Sequence, residues 1–294
     1  MIFIRQKMIL SLLKQAGHPL PRTVLVKLAF LLRQETVVKE ESSFYDFVPY
    51  KYGPFSFTLY RELGNLQQYG YLASGESSIA LSESAPDLAI DMTTRLPKSI
   101  QSAIADVLGR YGKLSQDALV QSVYTRYPWY ALNCELPERR LISIQRPKKA
   151  APAVYTTGYE GRSVDAFFND LMERGIEVVI DVRANPVSRK YGFSRLRLGD
   201  LCERLGFEYR HMPNLGIPSV ARAGLSDFDS YQRLLNQYEQ RMLPEHPADI
   251  EELGRILCRR SSVLVCVEKD VRCCHRSRLA NAVAAATGLE VVHL

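Results

Sequence analysis

The chain has 294 residues, 46% hydrophobic and 24% charged, with a formal net charge of +6 and six cysteines. That length accommodates two domains and a sizeable core, and the composition is that of a globular protein rather than a disordered or fibrous one. No apolar run approaches the ~18 residues of a membrane span. The opening MIFIRQKMILSLLKQAG lacks a cleavage site, and six cysteines, two of them adjacent, do not suggest a secreted disulfide framework. No membrane partner is expected, and the cytoplasm is the expected location.

Residues 1–150 carry 19 Lys/Arg against 13 Asp/Glu, whereas residues 151–294 carry 19 of each, so the first half (19 − 13) holds the whole +6. A basic surplus confined to one half points to nucleic-acid contact there.

Ile4, Met8, Leu12 and Leu13 have helical spacing over residues 4–16, ended by Gly17 and His18-Pro19. Pro21-Arg22-Thr23 opens a second helix, VLVKLAFLLRQE, apolar nearly all round and therefore central. An aromatic-rich loop with Gly53-Pro54 precedes a third helix from Ser56, in which Leu59, Leu63 and Leu66 share a face. Gly70 stops it, and SSIALSES reads as a strand of a wing. Helix, helix, loop, helix and small hairpin is the order of a winged helix-turn-helix. Two more helices follow Leu96-Pro97, broken near Gly112, the second N-capped by Ser115. The expected first domain is thus residues 1–145, mainly α-helical and winged-helix-like. Its candidate DNA contacts are Lys51, Tyr52 and Arg61, beside Tyr50 and Phe55, because basic residues interleaved with aromatics meet phosphates and stack on bases. A helical module for a protein partner is the alternative. The segment YKYGPFSFTLYRELGNLQQYGYL also resembles the Panacea-type antitoxin domain, whose members carry a similar Tyr-Gly-Pro before a Leu-rich helix; the resemblance spans roughly residues 5–125.

Residues 134–153 hold three prolines and the basic runs ERR and RPKK, a linker composition that puts the boundary near 145–152. From residue 152 onward strands and helices alternate. AVYTTGYEG is a strand, and a helix capped by Ser163 buries Val164, Phe167, Phe168 and Leu171. VVIDVR is the central strand, 198–205 a helix ended by Gly206, and FEYRHMPNLG a strand and loop. Phe228 to Arg241 and ADIEELGRILCRR are helices, SSVLVCVEKD an apolar strand, SRLANAVAAATG a helix and LEVVHL a closing strand. This alternation predicts an α/β domain, residues 152–294, with a mainly parallel sheet and helices on both faces.

Ligands of open α/β sheets bind at the carboxyl ends of the strands. Two strand ends here are charged. One is Asp181-Val182-Arg183 with a loop carrying Ser188, Arg189 and Lys190; the other is Cys266-Val267-Glu268, followed by Cys273, Cys274, His275 and Arg276. Side by side, they would place Asp181 and Glu268 at one crevice, ringed by arginines and a histidine. A ligand role for Asp181 and Arg183 is preferred to a mutual ion pair, since charges at a buried strand end need a purpose or a partner. The turn TTGYEGRS before a helix has the geometry of an anion site. Dinucleotide, P-loop, zincin and serine-hydrolase motifs are absent from the sequence. Zinc is disfavoured because the adjacent Cys273 and Cys274 do not both point easily at one ion. A Cys274 nucleophile activated by His275 is disfavoured because sequence neighbours rarely face each other. The expectation is therefore no metal and no cofactor.

The segments TTGYEGRSVDAFFNDLMERGIEVVIDVRANPVSRKYGF, HMPNLG and LVCVEKDVRCCHRSRLA resemble, in order, the signature segments of domain-of-unknown-function family 488 across about residues 155–294. Gly158-Tyr159-Glu160 departs from the Gly-His/Tyr-Ser more usual in that family. The resemblance implies no established reaction, so mechanism has to come from the site. Carboxylates suit base catalysis on water or stabilisation of an oxocarbenium-like sugar, and arginines suit phosphates and base edges. Clustered carboxylates for Mg²⁺ are lacking. The expected function is a metal-independent DNA glycosylase, a hydrolase leaving an abasic site, with a role in antiviral defence. Asp181, Glu268 and His275 are its catalytic candidates, and Tyr159, Arg183, Ser188, Arg189 and Arg276 its substrate-binding ones. The alternatives are a non-enzymatic DNA-binding regulator with a ligand-sensing α/β domain, and a nucleoside or nucleotide transferase.

Overall fold

The computed structural model describes residues 2–73, 78–83, 96–136, 144–222 and 227–294. The chain forms two compact units, Met1–Arg146 and Pro147–Leu294. The ERR run of the expected linker lies outside the described residues.

In the first unit α1 (Ile4–Ala16) is followed by a short strand β1 (Leu20–Pro21) and by α2 (Arg22–Glu35). Every α2 residue from Val24 to Leu32 is buried, so its all-round apolar sequence reflects a helix packed on several sides, against α4 (Lys98–Tyr111) and α5 (Gln116–Arg126) among others. A hairpin of β2 (Val48–Tyr50) and β3 (Gly53–Phe55) precedes α3 (Phe57–Gln68). Ser56 caps α3 through a 3.2 Å bond from the Leu59 amide, and Ser115 caps α5 in the same way from Ala118. After α3, β4 (Ser78–Ile79) pairs antiparallel with β1, Leu20 opposite Ile79, and Leu72 bridges to Leu81.

Part of this unit's basic charge is paired within the unit. Arg5 and the Tyr45 hydroxyl both donate to the buried Glu62 carboxylate, at 2.5 and 2.7 Å. Arg110 and Arg126 both pair with Glu35, which also accepts from the hydroxyls of Tyr111 and Tyr127. The basic surplus therefore partly serves the fold itself.

The second unit holds a five-stranded, all-parallel sheet in the order β7-β6-β8-β5-β9. Its strands are β5 (Val154–Gly158), β6 (Val178–Asp181), β7 (Glu208–His211), β8 (Ser262–Cys266) and β9 (Val291–His293). The helices are α6 (Val164–Glu173), α7 (Arg195–Leu205), α8 (Phe228–Gln237), α9 (Pro247–Arg259) and α10 (His275–Thr287). Leu234 and Leu235 of α8, Leu253 and Leu257 of α9, and Leu279 and Val283 of α10 share one core with Ile180 and Leu264. Right-handed crossovers put α6 and α7 on the opposite face. The chain leaves β6 toward the β7 edge and β8 toward the β9 edge. These neighbouring strands therefore form a topological switch point, with a crevice at their carboxyl ends. Among the described residues no helix is long and apolar enough to cross a membrane.

Lys27 is the one cation wholly inside the described core of the first unit, 1% exposed, with its ammonium donating to the carbonyls of Tyr52 and, at 3.2 Å, Pro54. Burial pulls its pKa from 10.5 down to about 7. Below pH 7 folded and unfolded chains are both protonated and the desolvation penalty is present in full. Between about 7 and 10.5 only the unfolded chain keeps the proton, so this group makes stability rise with pH across that window and level off above it. Thermal unfolding of wild type and Lys27→Met across that range should show a positive slope that the variant lacks; equal slopes would contradict the assignment.

Candidate active site

The two charged strand ends lie on adjacent strands, as their sequences suggest, but register separates their side chains. Ile180 is level with Leu264, and Asp181 with Val265. Successive side chains of a strand alternate between faces. Cys266, two residues beyond Leu264, shares the face of α8 to α10, whereas Asp181 points to the face of α6 and α7. The expectation that Asp181 and Glu268 line one crevice is thereby corrected.

On the Asp181 face, Arg183 grips the carboxylate with both ends of its guanidinium, Nε to Oδ1 at 2.7 Å and Nη2 to Oδ2 at 2.5 Å. The Tyr209 hydroxyl donates to Oδ2 at 2.8 Å and the Arg183 amide to Oδ1 at 3.2 Å. Arg183 spends its remaining donors on the Tyr159 hydroxyl and the Phe193 carbonyl, at 2.9 and 2.8 Å. Tyr159 stacks on Phe193 with ring centroids 4.1 Å apart. Asp181 is 0% and Arg183 3% exposed. Although burial opposes its charge, the Asp181 carboxylate raises the Arg183 pKa, and burial with Asp181 also raises that of Tyr209. Here the mutual ion pair, not the ligand role, describes Asp181 and Arg183, and Tyr159 belongs to its packing. This pair shapes the strand end and offers no open lone pair.

The loop candidates divide similarly. Ser188 Oγ accepts from the Lys190 amide at 3.2 Å, a turn contact, and Lys190 Nζ donates to the Tyr159 carbonyl at 2.9 Å. Arg189 is exposed. The expected anion turn after β5 is occupied by the chain itself: the Ser163 side chain caps α6, with the Ala166 amide 3.0 Å away. In the first unit Lys51 pairs with Glu135 at 3.2 Å, Tyr52 is half-exposed at the hairpin tip and Arg61 is exposed. Tyr50 and Phe55 stack within an aromatic cluster with Phe57.

The chemically richest cluster lies at the end of β8. Cys266 Sγ lies 3.1 Å from Glu268 Oε2 and 3.6 Å from His275 Nδ1. Cys274, the N-cap of α10, joins them: a ligand atom from each of Cys266, Cys274 and His275 lies within 4.8 Å of the others. The opposite ring nitrogen, Nε2, donates to the Val182 carbonyl at 3.0 Å, so Nδ1 is the atom presented to the sulfurs. Arg222 closes the group, donating to Glu268 Oε1 at 3.1 Å and standing 3.4 Å from His275 Nδ1. Cys266, Cys274 and His275 are buried, whereas the Glu268 and Arg222 side chains are 22% and 31% exposed, so the cluster opens to solvent through them.

A hydrogen bond from Cys274, helped by His275, holds the Cys266 thiol well below its usual range against its burial, while burial and Cys266 push Cys274 up. Burial opposes charge on His275, but the Cys266 thiolate outweighs it and raises the imidazole pKa. Burial and Cys266 raise Glu268.

Two glycines fix these loops by the absence of a side chain. A Cβ on Gly158 would lie 1.9 Å from the Glu268 carbonyl, and one on Gly216 2.1 Å from the Ala184 amide. Arg276, 2% exposed, donates to the carbonyls of Glu268 and Lys269 at 2.5 and 3.1 Å, and Glu160 accepts from the Lys269 amide at 2.9 Å. Arg276 is a clamp on the loop rather than a substrate arm.

The Thr-Gly start, the Asp-Val-Arg strand end and the Cys-x-Glu…Cys-His-Arg end thus meet at the carboxyl ends of three adjacent strands, with the Leu-Gly loop packed against the second. Residues 163–283 match the family described as "Domain of unknown function DUF488". The matched stretch covers most of the second unit. No curated protein and no solved structure matches the chain. Within the DUF488 region, sequence reasoning singled out Glu268 and His275 but missed Arg222, whose segment carries no motif. It weighed Cys266 and Cys274 as metal ligands together with Cys273, which is half-buried and lies outside the cluster.

Removing one partner of a buried ion pair leaves the other uncompensated, at about 3–5 kcal/mol. Asp181→Asn should therefore destabilise the protein by that order in urea unfolding, and Asp181→Asn with Arg183→Met should recover part of the loss. A single variant as stable as wild type would show that the pair is not the closed unit described.

Proposed function

We propose that the second unit is a DNA glycosylase, a hydrolase that breaks the N-glycosidic bond of a nucleotide and leaves an abasic site. The first unit is its DNA-binding module. The observation that carries this reading is Glu268: a half-open carboxylate at the switch-point crevice, held by Arg222 and backed by Cys266 and His275. As the C1′–N bond lengthens, positive charge builds on the sugar, and a nearby carboxylate stabilises it or takes a proton from the attacking water. The water oxygen bonds to C1′ and the base leaves with the bonding pair and a proton. Arg222 supplies positive charge beside the carboxylate, suited to a phosphate or base edge of a flipped nucleotide. Asp181 takes no part in this chemistry.

For the first unit, the support is topological. A strand between the first two helices pairs with the strand that follows the third helix, the wiring of a winged helix. Lys51, Tyr52 and Arg61 remain its candidate DNA contacts. A base-excising enzyme joined to an antitoxin-like module suits defence against foreign DNA, by analogy of architecture. The free cysteines suit a cytoplasmic setting.

Incubated with unmodified and base-modified DNA and then treated with alkali, the full chain should yield strand breaks only after the alkali step. Glu268→Gln should slow abasic-site formation by about 10²–10⁴-fold. DNA that stays intact throughout while binding is retained would replace this reading by the non-enzymatic regulator. Lys51→Ala and Arg61→Ala should each lower the salt dependence of DNA affinity by about one unit of slope. Unchanged slopes would remove these residues from the interface.

A further inference from the structure

We propose that Cys266, Cys274 and His275 form a binding site for a thiophilic divalent cation of the zinc class. Two sulfurs and an imidazole nitrogen are the donor set such ions take, usually with a fourth position left to water or a carboxylate. Tetrahedral ligation at Zn–S ≈ 2.3 Å and Zn–N ≈ 2.0 Å separates these ligand atoms by ~3.5–3.8 Å. The three atoms lie within 4.8 Å of one another, with Cys266 Sγ and His275 Nδ1 already 3.6 Å apart, so closing on an ion needs a contraction of at most about 1 Å. No backbone rearrangement is implied, because the ligands sit on fixed points: the last residue of β8, the N-cap of α10 and its first residue.

Three further observations point the same way. The imidazole is oriented as a ligand: Nε2 is anchored on the Val182 carbonyl and Nδ1 faces the sulfurs, the pattern by which an outer hydrogen bond fixes the metal-binding nitrogen. All three side chains are buried, and the positive end of α10 favours thiolate at its N-cap. The cluster also already draws positive charge, since the Arg222 guanidinium leans on both Glu268 Oε1 and His275 Nδ1. An ion between the sulfurs and Nδ1 takes over that role and frees Arg222 toward the crevice. The adjacency of Cys273 and Cys274, which argued against a metal, does not apply: Cys274 pairs across the loop with Cys266. Glu268, 3.1 Å from Cys266 Sγ, then stands beside the fourth position. The binding site does not depend on the proposed reaction; only the use by Glu268 of a water held there rests on it.

Adding Co²⁺ to the EDTA-treated full chain should produce thiolate-to-cobalt absorption that saturates at one equivalent and is abolished by Zn²⁺. Cys266→Ser and Cys274→Ser should lose it, while Cys258→Ser and Cys273→Ser keep it. On the wild-type chain, which needs no folding control, Zn²⁺ should protect two thiols from a disulfide reagent. Absence of both the absorption and the protection, or absorption surviving in Cys266→Ser and Cys274→Ser together, overturns the site. Cobalt binding by a chain that forms no abasic sites would sink the glycosylase and leave the site standing. Abasic-site formation by a chain that binds no cobalt would do the reverse.

Discussion

The register of β6 on β8 decides what the second unit can do. A parallel sheet keeps level residues on the same face, and Asp181 is level with Val265 rather than with Cys266. One residue of slip would have put two carboxylates in one crevice. Instead the sheet divides the charged groups into a closed ion pair on one side and an open thiol, imidazole and carboxylate group on the other.

The two groups obey the same rule with different outcomes. Charge inside a protein persists only when its hydrogen-bonding capacity is met. Asp181 meets it from Arg183, Tyr209 and a backbone amide, so the pair is inert and stiff. The β8 group meets it incompletely: two sulfurs and an imidazole lie together, and Glu268 relies on an arginine that is itself part solvent-exposed. Incomplete satisfaction at a strand's carboxyl end is what leaves capacity for a ligand. Rigidity around it comes from the clamped loop, where Arg276 and Glu160 hold the backbone of 268 and 269.

Most of the architecture was legible because it follows from periodicity and caps. Gly17 ends α1, Ser56, Ser115 and Ser163 cap their helices, and alternating elements after residue 152 form the parallel sheet. The Cys-x-Glu and Cys-His-Arg segments come together at the end of β8. What could not be read was which face each residue of a buried strand takes, since VVIDVR is apolar on both sides and shows no alternation. For the same reason the partnership of Cys266 with Cys274 was hidden behind the neighbouring Cys273. Arg222 was illegible for another reason: its segment, between β7 and α8, is brought to Glu268 by tertiary packing that no local pattern records.

The hydrogen bond from His275 to Val182 has a mechanical meaning. Val182 sits in the backbone between Asp181 and Arg183, and its carbonyl belongs to the very peptide plane that carries the Arg183 amide, which is bonded in turn to Asp181. The imidazole on one face and the ion pair on the other thus hold opposite edges of a single peptide plane. The sheet, so often a partition between two layers, carries at this point one peptide plane bonded from both.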